Sequence, residues 1–218
     1  MESMKKVSLV DMAYERLREG IIHLEFPLGG KVNVNELQSR LGISCTPIRE
    51  AVNRLQQEGL VVYENNVGAH VLTLTPHDVV EIQQLAMALH RSAVCLAMEN
   101  GDRAALLQGL EVSLRACRAA ASPEEAAAAI GELIGVYYHC CGNRRLDSSM
   151  LSLQGQQRLL RYLYALWNGT GSQDLEMLSE MVEKTRLGDA EAVCRALQRY
   201  TDHMTAALTR RLAQGENP

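Results

Sequence analysis

Three short amphipathic segments open the chain, each with apolar residues recurring every three or four positions. Residues 8–23 form the first. Residues 34–41 form the second, which ends before Gly42, a residue suited to a left-handed C-cap. The third is predicted to begin at Thr46, with the threonine as N-cap and a proline in the first helical position. These patterns predict three helices joined by short turns, with Ser8 as the N-cap of the first.

A run of β-favouring residues follows the third helix. Residues 60–74 read LVVYENNVGAHVLTL, in which two strand-like halves flank a turn at Asn65, Asn66, Val67 and Gly68. Three helices followed by a hairpin are typical of a winged helix-turn-helix domain. In such a domain the second helix of the helix-turn-helix enters the major groove of DNA.

From residue 76 onward the hydrophobic pattern is helical only. Six segments are separated by short breakers, and six helices with short loops predict an antiparallel bundle. The predicted helices are 77–100, 102–121, 123–142, 144–167, 173–187 and 189–213. The chain is therefore predicted to be mainly α-helical, with a winged helix-turn-helix DNA-binding domain in residues 1–75 and an antiparallel all-α bundle in residues 76–218.

Composition narrows the class of protein. The 218 residues carry a net charge of −4, and residues 1–75 hold eight Lys/Arg against nine Asp/Glu. A DNA-binding domain usually has a positive balance, so its few cations are expected to cluster on one face. No apolar run reaches the roughly 18 residues of a membrane span and no signal core stands out, so a cytoplasmic location is expected. The six cysteines contain no C-x-x-C pair and are expected to be reduced.

Candidate chemistry is sparse. No nucleophile-base pair, glycine-rich phosphate loop or paired-carboxylate pattern stands out, so an enzyme is not expected. The adjacent residues His139, Cys140 and Cys141 resemble a metal cluster at first sight. Neighbouring residues on a helix point about 100° apart, which favours a packed helix end over joint chelation.

Four motifs follow one another along the chain. The first half carries S-x-T-P-x-R-E-A at 44–51 and R-L-x-x-E-G-L at 54–60, and the second half carries CCGNRRL at 140–146 and GDAEAVCRAL at 188–197. Together they resemble the GntR family of bacterial transcription regulators, in the subgroup with the helical FadR C-terminal (FCD) domain. The resemblance implies a homodimeric regulator, expected here to be a repressor, that binds a palindromic operator in double-stranded DNA. It also implies a small-molecule effector inside the bundle.

Ser44, Thr46 and Arg49 match positions that contact DNA in this family. The resemblance implies that Arg49 reaches a base edge, most naturally guanine O6 and N7, while Ser44 and Thr46 hold phosphates. Gly68 stands where the family has its wing glycine, and His70 beside it is a further candidate DNA contact.

Two positions near these residues depart from the family pattern. Cys45 stands where the family usually has arginine, and Asn35 stands near a position that is often basic. Both are still candidate DNA contacts. The loss of basic side chains at these positions should lower the affinity for DNA, because one bidentate arginine contact contributes about 1–3 kcal/mol of discrimination. Cys45 is either a reactive thiol at a helix N-terminus or a small neutral side chain, and the second is favoured because no cysteine or lysine lies beside it. These departures leave open a second function, a ligand-binding or scaffold protein whose DNA binding has decayed.

The sensor half departs further. The resemblance implies a metal held by an Asp-x-x-x-His pair and two later histidines, and these positions fall at Ile130, Ile134, Leu178 and Tyr200. Apolar side chains offer no donor atoms, so no metal and no other cofactor are expected. The cavity would suit an apolar effector, unless these side chains fill it.

Ala86 falls where the family often has an arginine on the first sensor helix. His90 and His203 each have two interpretations: a hydrogen-bonding residue of the effector cavity, or an ordinary core histidine, which is favoured. The candidate effector pocket comprises Ala86, His90, Ile130, Ile134, Leu178 and Tyr200.

Overall fold

The structure is a computed structural model that describes residues 8–64, 68–169 and 171–215. As predicted, the fold is mainly α-helical, with one two-stranded sheet among the described residues. The chain divides into two compact units between Thr73 and Leu74. Among the described helices, none combines the length and the apolar character needed to cross a membrane.

The first unit has the predicted winged helix-turn-helix order. Its elements are α1 (Leu9–Ile22), α2 (Val34–Leu41), α3 (Cys45–Gln57), β1 (Val61–Glu64) and β2 (Gly68–Val71). The two strands pair antiparallel, with Val61 opposite Val71 and Glu64 opposite Gly68. The predicted turn between them falls on residues 65–67, outside the described residues.

Local sequence rules place the first two helices correctly. The Ser8 hydroxyl accepts a hydrogen bond from the Asp11 backbone N–H at the start of α1. Gly42 adopts a φ of 65° after α2, in the left-handed region that glycine enters without strain. Apolar residues such as Leu17 on α1 and Val52 on α3 are buried where these two helices pack together.

The prediction that Thr46 is the N-cap of α3 is wrong. The helix begins at Cys45, two residues before the predicted first helical residue Pro47, and Ser44 has the extended backbone of an N-cap residue. Pro47 therefore occupies the third helical position. A proline is tolerated there because the first N–H groups of a helix have no intrahelical acceptor in any case.

The second unit is the predicted six-helix bundle, within the described residues after Thr73. Each helix boundary lies within two residues of its predicted position. The helices are α4 (Pro76–Asn100), α5 (Arg103–Ala119), α6 (Pro123–Cys140), α7 (Arg144–Asn168), α8 (Ser172–Leu187) and α9 (Ala190–Ala213).

Helix α4 packs against α6, α7 and α9, while α5 pairs with α6 and α8. Thr75 and Asp78 form a reciprocal capping box at the start of α4, with Pro76 in the first turn. Buried leucines such as Leu133 on α6 and Leu163 on α7 fill the space between the helices. A few polar side chains are also buried in this apolar core. Each needs a specific hydrogen-bonding partner, because burying a polar group without one is energetically costly.

Candidate functional site

The start of α3 presents polar side chains to solvent: Ser44, Thr46 and Arg49 are all exposed. The Ser44 hydroxyl makes no capping hydrogen bond, so the first backbone N–H groups of α3 lack a cap acceptor. Helix N-termini of this kind bind anions such as phosphate. In the described part of the chain no group is paired with the Arg49 guanidinium, so its planar fork of donors is available to a base edge.

A polar clamp attaches the other end of α3 to α1. The Tyr14 hydroxyl donates to Glu58 Oε1, and Arg18 Nε donates to Glu58 Oε2 at 3.2 Å. Arg54 donates to Asp11 at 2.7 Å, and both arginines lie over the Tyr14 ring. Burial, followed by the bond to Glu58, raises the pKa of Tyr14 well above its usual value. The clamp occupies both arginines within the protein and fixes the direction in which α3 presents its first turn.

The Cys45 thiol points toward α2. It donates to Gln38 Oε1 at 2.8 Å and lies 3.8 Å from Asn35 Oδ1. Cys45 is half-buried, while Asn35 and Gln38 are exposed. The thiol therefore fills the angle between α2 and α3, an arrangement that supports the small, neutral interpretation of this residue.

The two candidate residues of the hairpin differ in accessibility. Gly68 has a φ of 105°, a backbone conformation that favours glycine. His70 is half-buried, and its Nε2 atom is buried without a hydrogen-bond partner among the described residues. Its strand pairs with β1, and Lys31 forms a further bridge to His70 itself. The sequence made His70 a candidate DNA contact, and a contact through Nε2 would require the ring to turn outward.

The six residues of the candidate effector pocket are all buried in the bundle. They come from α4, α6, α8 and α9. His90 Nδ1 on α4 is hydrogen-bonded to the Tyr138 hydroxyl on α6, at 2.8 Å. Burial, with a smaller effect from the Arg161 charge, lowers the pKa of His90 to about 3. His90 is therefore neutral near pH 7 and belongs to a buried polar pair.

The interior of the bundle contains further polar side chains that the sequence analysis missed. Gln157 Nε2 donates to Gln83 Oε1 at 2.9 Å, both side chains are buried, and Gln83 Nε2 has no partner among the described residues. Arg161 is also buried, and Nη2 of its guanidinium lies 3.1 Å from the position that a Cβ atom on Gly131 would occupy. The interior is thus less apolar than expected. The sequence contained one signal for this polar interior: Gln83 lies two helical turns before His90, so the two side chains project from the same face of α4.

Asp174 is a second polar centre that the sequence analysis missed. Its buried carboxylate accepts from the Tyr164 hydroxyl, with both oxygens at 2.9 Å, and from the Gly171 backbone N–H at 3.2 Å. His203 Nδ1 lies 3.0 Å from the same carboxylate. His203 is therefore a partly exposed residue paired with Asp174, rather than a lone histidine. The cluster joins α7, α8 and α9.

The positions that correspond to the family's metal ligands do not fit a metal. Ile130, Ile134 and Leu178 carry no donor atom, and burial raises the pKa of Tyr200 so that its phenol stays protonated. Across the part of the chain that the structure describes, no group of three or more His, Cys, Asp or Glu side chains is placed to hold a metal ion.

The run His139, Cys140 and Cys141 forms the end of α6. The Cys141 thiol donates to the Tyr138 backbone carbonyl at 3.1 Å and accepts from the Asn143 backbone N–H at 3.4 Å. These bonds satisfy backbone groups where one helix ends and the next begins. They match the packed helix end that the sequence favoured.

Comparison with known proteins agrees with this architecture. The family model described as Bacterial regulatory proteins, gntR family, matches residues 9–71, and the FCD domain model matches residues 81–203. The HTH-type transcriptional regulator YdhC of Bacillus subtilis (strain 168) is 33% identical over 89 residues, covering 41% of this chain and 40% of that protein. The Nta operon transcriptional regulator of Aminobacter aminovorans is 35% identical over 79 residues, covering 36% of this chain and 38% of that protein.

Two solved structures share the fold along nearly the whole chain. Escherichia coli McbR/YncC superposes with a TM-score of 0.76 at 20% identity, covering 94% of this chain and 99% of that chain. A GntR transcriptional regulator from Rhodococcus sp. RHA1 superposes with a TM-score of 0.73 at 20% identity, covering 91% of this chain and 96% of that chain. The two family models fall on the winged unit and on the bundle. The chain therefore belongs to the GntR family of bacterial regulatory proteins and carries a C-terminal FCD domain.

Proposed function

We propose that this regulator acts in the cytoplasm as a homodimeric repressor on a palindromic operator, and that an effector in the bundle changes its affinity for DNA. One observation carries the DNA-binding part: the start of α3 is uncapped and displays Ser44, Thr46 and Arg49 together in solvent. A two-fold dimer would place two such helix starts in successive major grooves, about 34–36 Å apart.

Each residue of this surface has a separate role in the proposal. Arg49 donates two hydrogen bonds to guanine O6 and N7 and reads the sequence. Ser44, Thr46 and the first amides of α3 hold phosphates and set the register of the helix on DNA. Asn35 and Cys45 flank this contact, and the Cys45 thiol lies near the Asn35 side-chain oxygen. Neither residue is charged, so neither supplies the cation that would strengthen DNA binding at these positions.

The effector site is proposed to lie in the interior of the bundle and to need no metal. Ile130 and Ile134 supply apolar walls, and the pair of His90 and Tyr138 supplies polar atoms. Gln83 Nε2 is a further buried donor. An effector with an apolar body and a hydrogen-bond acceptor fits this lining. It regulates only to the extent that it binds the DNA-competent and DNA-incompetent arrangements with different affinities.

Fluorescence anisotropy with labelled duplexes tiled across the region upstream of the protein's own gene tests the DNA-binding surface. Arg49→Ala is expected to weaken operator binding about five- to hundredfold, because a bidentate base contact contributes about 1–3 kcal/mol. Arg115→Ala is the matched control, since Arg115 is an exposed arginine on α5 of the bundle. Parent-like affinity of Arg49→Ala on every duplex that the parent binds would refute the assignment.

A second candidate function is a ligand-binding protein of the same fold whose DNA binding has decayed. The inward-turned Cys45 thiol and the slight acidic excess of residues 1–75 favour it. Salt dependence separates the two candidates, because a working DNA binder loses affinity steeply between roughly 50 and 200 mM salt. Absence of binding to every palindromic duplex even at the low end of this range would favour the second candidate.

A further inference from the structure

Two free cysteines face each other inside the bundle. Cys95 lies on α4 and Cys194 on α9, and these helices pack together. A second contact fixes the register between the two helices: the Thr201 hydroxyl of α9 lies 4.0 Å from Met87 Sδ of α4. Cys95 lies two turns after Met87, and Cys194 lies two turns before Thr201. An antiparallel helix pair therefore brings the two cysteines opposite each other.

The surroundings give the two thiols unequal roles. Cys194 is buried, and the Cys95 side chain is near enough to contribute to the pKa of its thiol. Burial, with a further contribution from Cys95, raises the pKa of Cys194 to about 11, although Arg91 and Arg195 act in the opposite direction. Cys194 is thus a shielded, protonated thiol. Cys95 is only half-buried, so it is the member of the pair that a small oxidant reaches first.

We propose that Cys95 and Cys194 form a thiol pair that hydroperoxides oxidise to an intrachain disulfide joining α4 to α9. In the first step the Cys95 sulfur, as thiolate, attacks one oxygen of the hydroperoxide. The O–O bond breaks, an alcohol or water leaves, and Cys95 becomes a sulfenic acid. In the second step Cys194 sulfur attacks Cys95 sulfur and loses its proton, and the hydroxyl group leaves as water. Two electrons pass from the thiols to the peroxide, which is the only co-reactant required.

The proposal is independent of the DNA contacts, because it concerns residues of the bundle alone. A disulfide in a reducing compartment is typically transient and redox-sensing, so this pair would act as a reversible modification site. It would connect the first helix of the bundle to the last one described.

Peptide mapping of the full-length protein tests the pair directly. The reduced protein is treated with a small excess of hydrogen peroxide, alkylated with N-ethylmaleimide under unfolding conditions and digested with trypsin. Cys95 and Cys194 are the only cysteines of the tryptic peptides 92–103 and 187–195. The expected product is these two peptides joined by a disulfide, and dithiothreitol should release both.

Serine variants identify the chemistry. Cys95→Ser and Cys194→Ser should each abolish the joined peptide, and Cys194→Ser should leave Cys95 as a sulfenic acid that dimedone captures. Cys140→Ser, a change at another half-buried cysteine of the bundle, should leave the joined peptide unchanged. The proposal is overturned if both thiols of the parent remain alkylated by maleimide, or if Cys95 pairs with a different cysteine. The map of the parent protein decides this even if a variant folds poorly.

Discussion

The Cys45 thiol and the Gln38 side-chain oxygen meet across the turn between α2 and α3, 2.8 Å apart. Through this contact the Cys45 side chain points toward α2, whereas its neighbours Ser44 and Thr46 at the start of α3 are exposed to solvent. It explains how a residue in the middle of the proposed recognition surface is used for packing between two helices.

The Cys45→Arg variant tests what this arrangement costs in DNA binding. An arginine would extend past Gln38 and add a cation beside Arg49, so we expect operator binding about tenfold tighter, within the range of one arginine contact. The slope of log affinity against log salt should become steeper by about one. Cys45→Ser is the control, because it keeps a small donor and adds no charge. Unchanged affinity and salt slope in Cys45→Arg would show that position 45 lies outside the DNA contact.

The clamp between α1 and α3 should contribute to the stability of the winged unit. Glu58→Gln removes the carboxylate that accepts from Tyr14 and Arg18, and leaves the nearly buried Arg18 with the longer ion pair to Glu15, at 4.0 Å. We expect the free energy of opening of α1 and α3 to fall by about 1–3 kcal/mol. Hydrogen exchange of the amides in these helices measures this locally. Glu50→Gln, at an exposed position on α3, should change it by less than about 0.5 kcal/mol. Equal protection in the two variants would contradict the clamp.

The stability of the bundle should depend on pH through His90. Its pKa is about 3 in the folded protein, against an ordinary value of 6.5. Between these values the unfolded chain binds a proton that the folded chain excludes, so stability is complete above about pH 6.5 and falls as the pH drops toward 3. The free energy of unfolding should be about 2 kcal/mol lower at pH 5 than at pH 8 from this group.

Urea unfolding followed by the fluorescence of Trp167, the single tryptophan and a residue of α7, reports on this unit. His90→Gln should flatten the dependence between pH 5 and 8. The control is His77→Gln, because the His77 side chain is 80% exposed. If His90→Gln keeps the full dependence on pH, another group carries it.

Metal analysis tests the sensor site. Protein purified without a metal-affinity tag and dialysed against zinc, nickel or manganese should retain far less than one ion per chain, because Ile130, Ile134 and Leu178 offer no ligands. Inductively coupled plasma mass spectrometry gives the ratio. About one ion per chain that survives washing with a chelator, and that His203→Ala or His90→Gln removes, would contradict the prediction.

Much of the architecture could be predicted from the sequence, because its signals are local. Caps, prolines, glycines and the spacing of apolar residues act within a few positions, and they placed six bundle helices within two residues of their structural boundaries. The start of α3 shows the limit of such rules. Ser44 and Thr46 are both good N-cap residues, and only the extended backbone of Ser44 in the folded protein distinguishes them.

The pairing of side chains was decided by tertiary structure alone. Gln83 and Gln157 are 74 residues apart, and His90 and Tyr138 are 48 apart, so no local spacing relates them. The sequence by itself determined the helices, the hairpin, the family and the polar residues at the start of α3. Only helix packing decided that Cys45 turns toward Gln38 and that buried amides and histidine enter an apolar core. Periodicity specifies which face of a helix is buried, whereas the partner across that face depends on how separate helices meet.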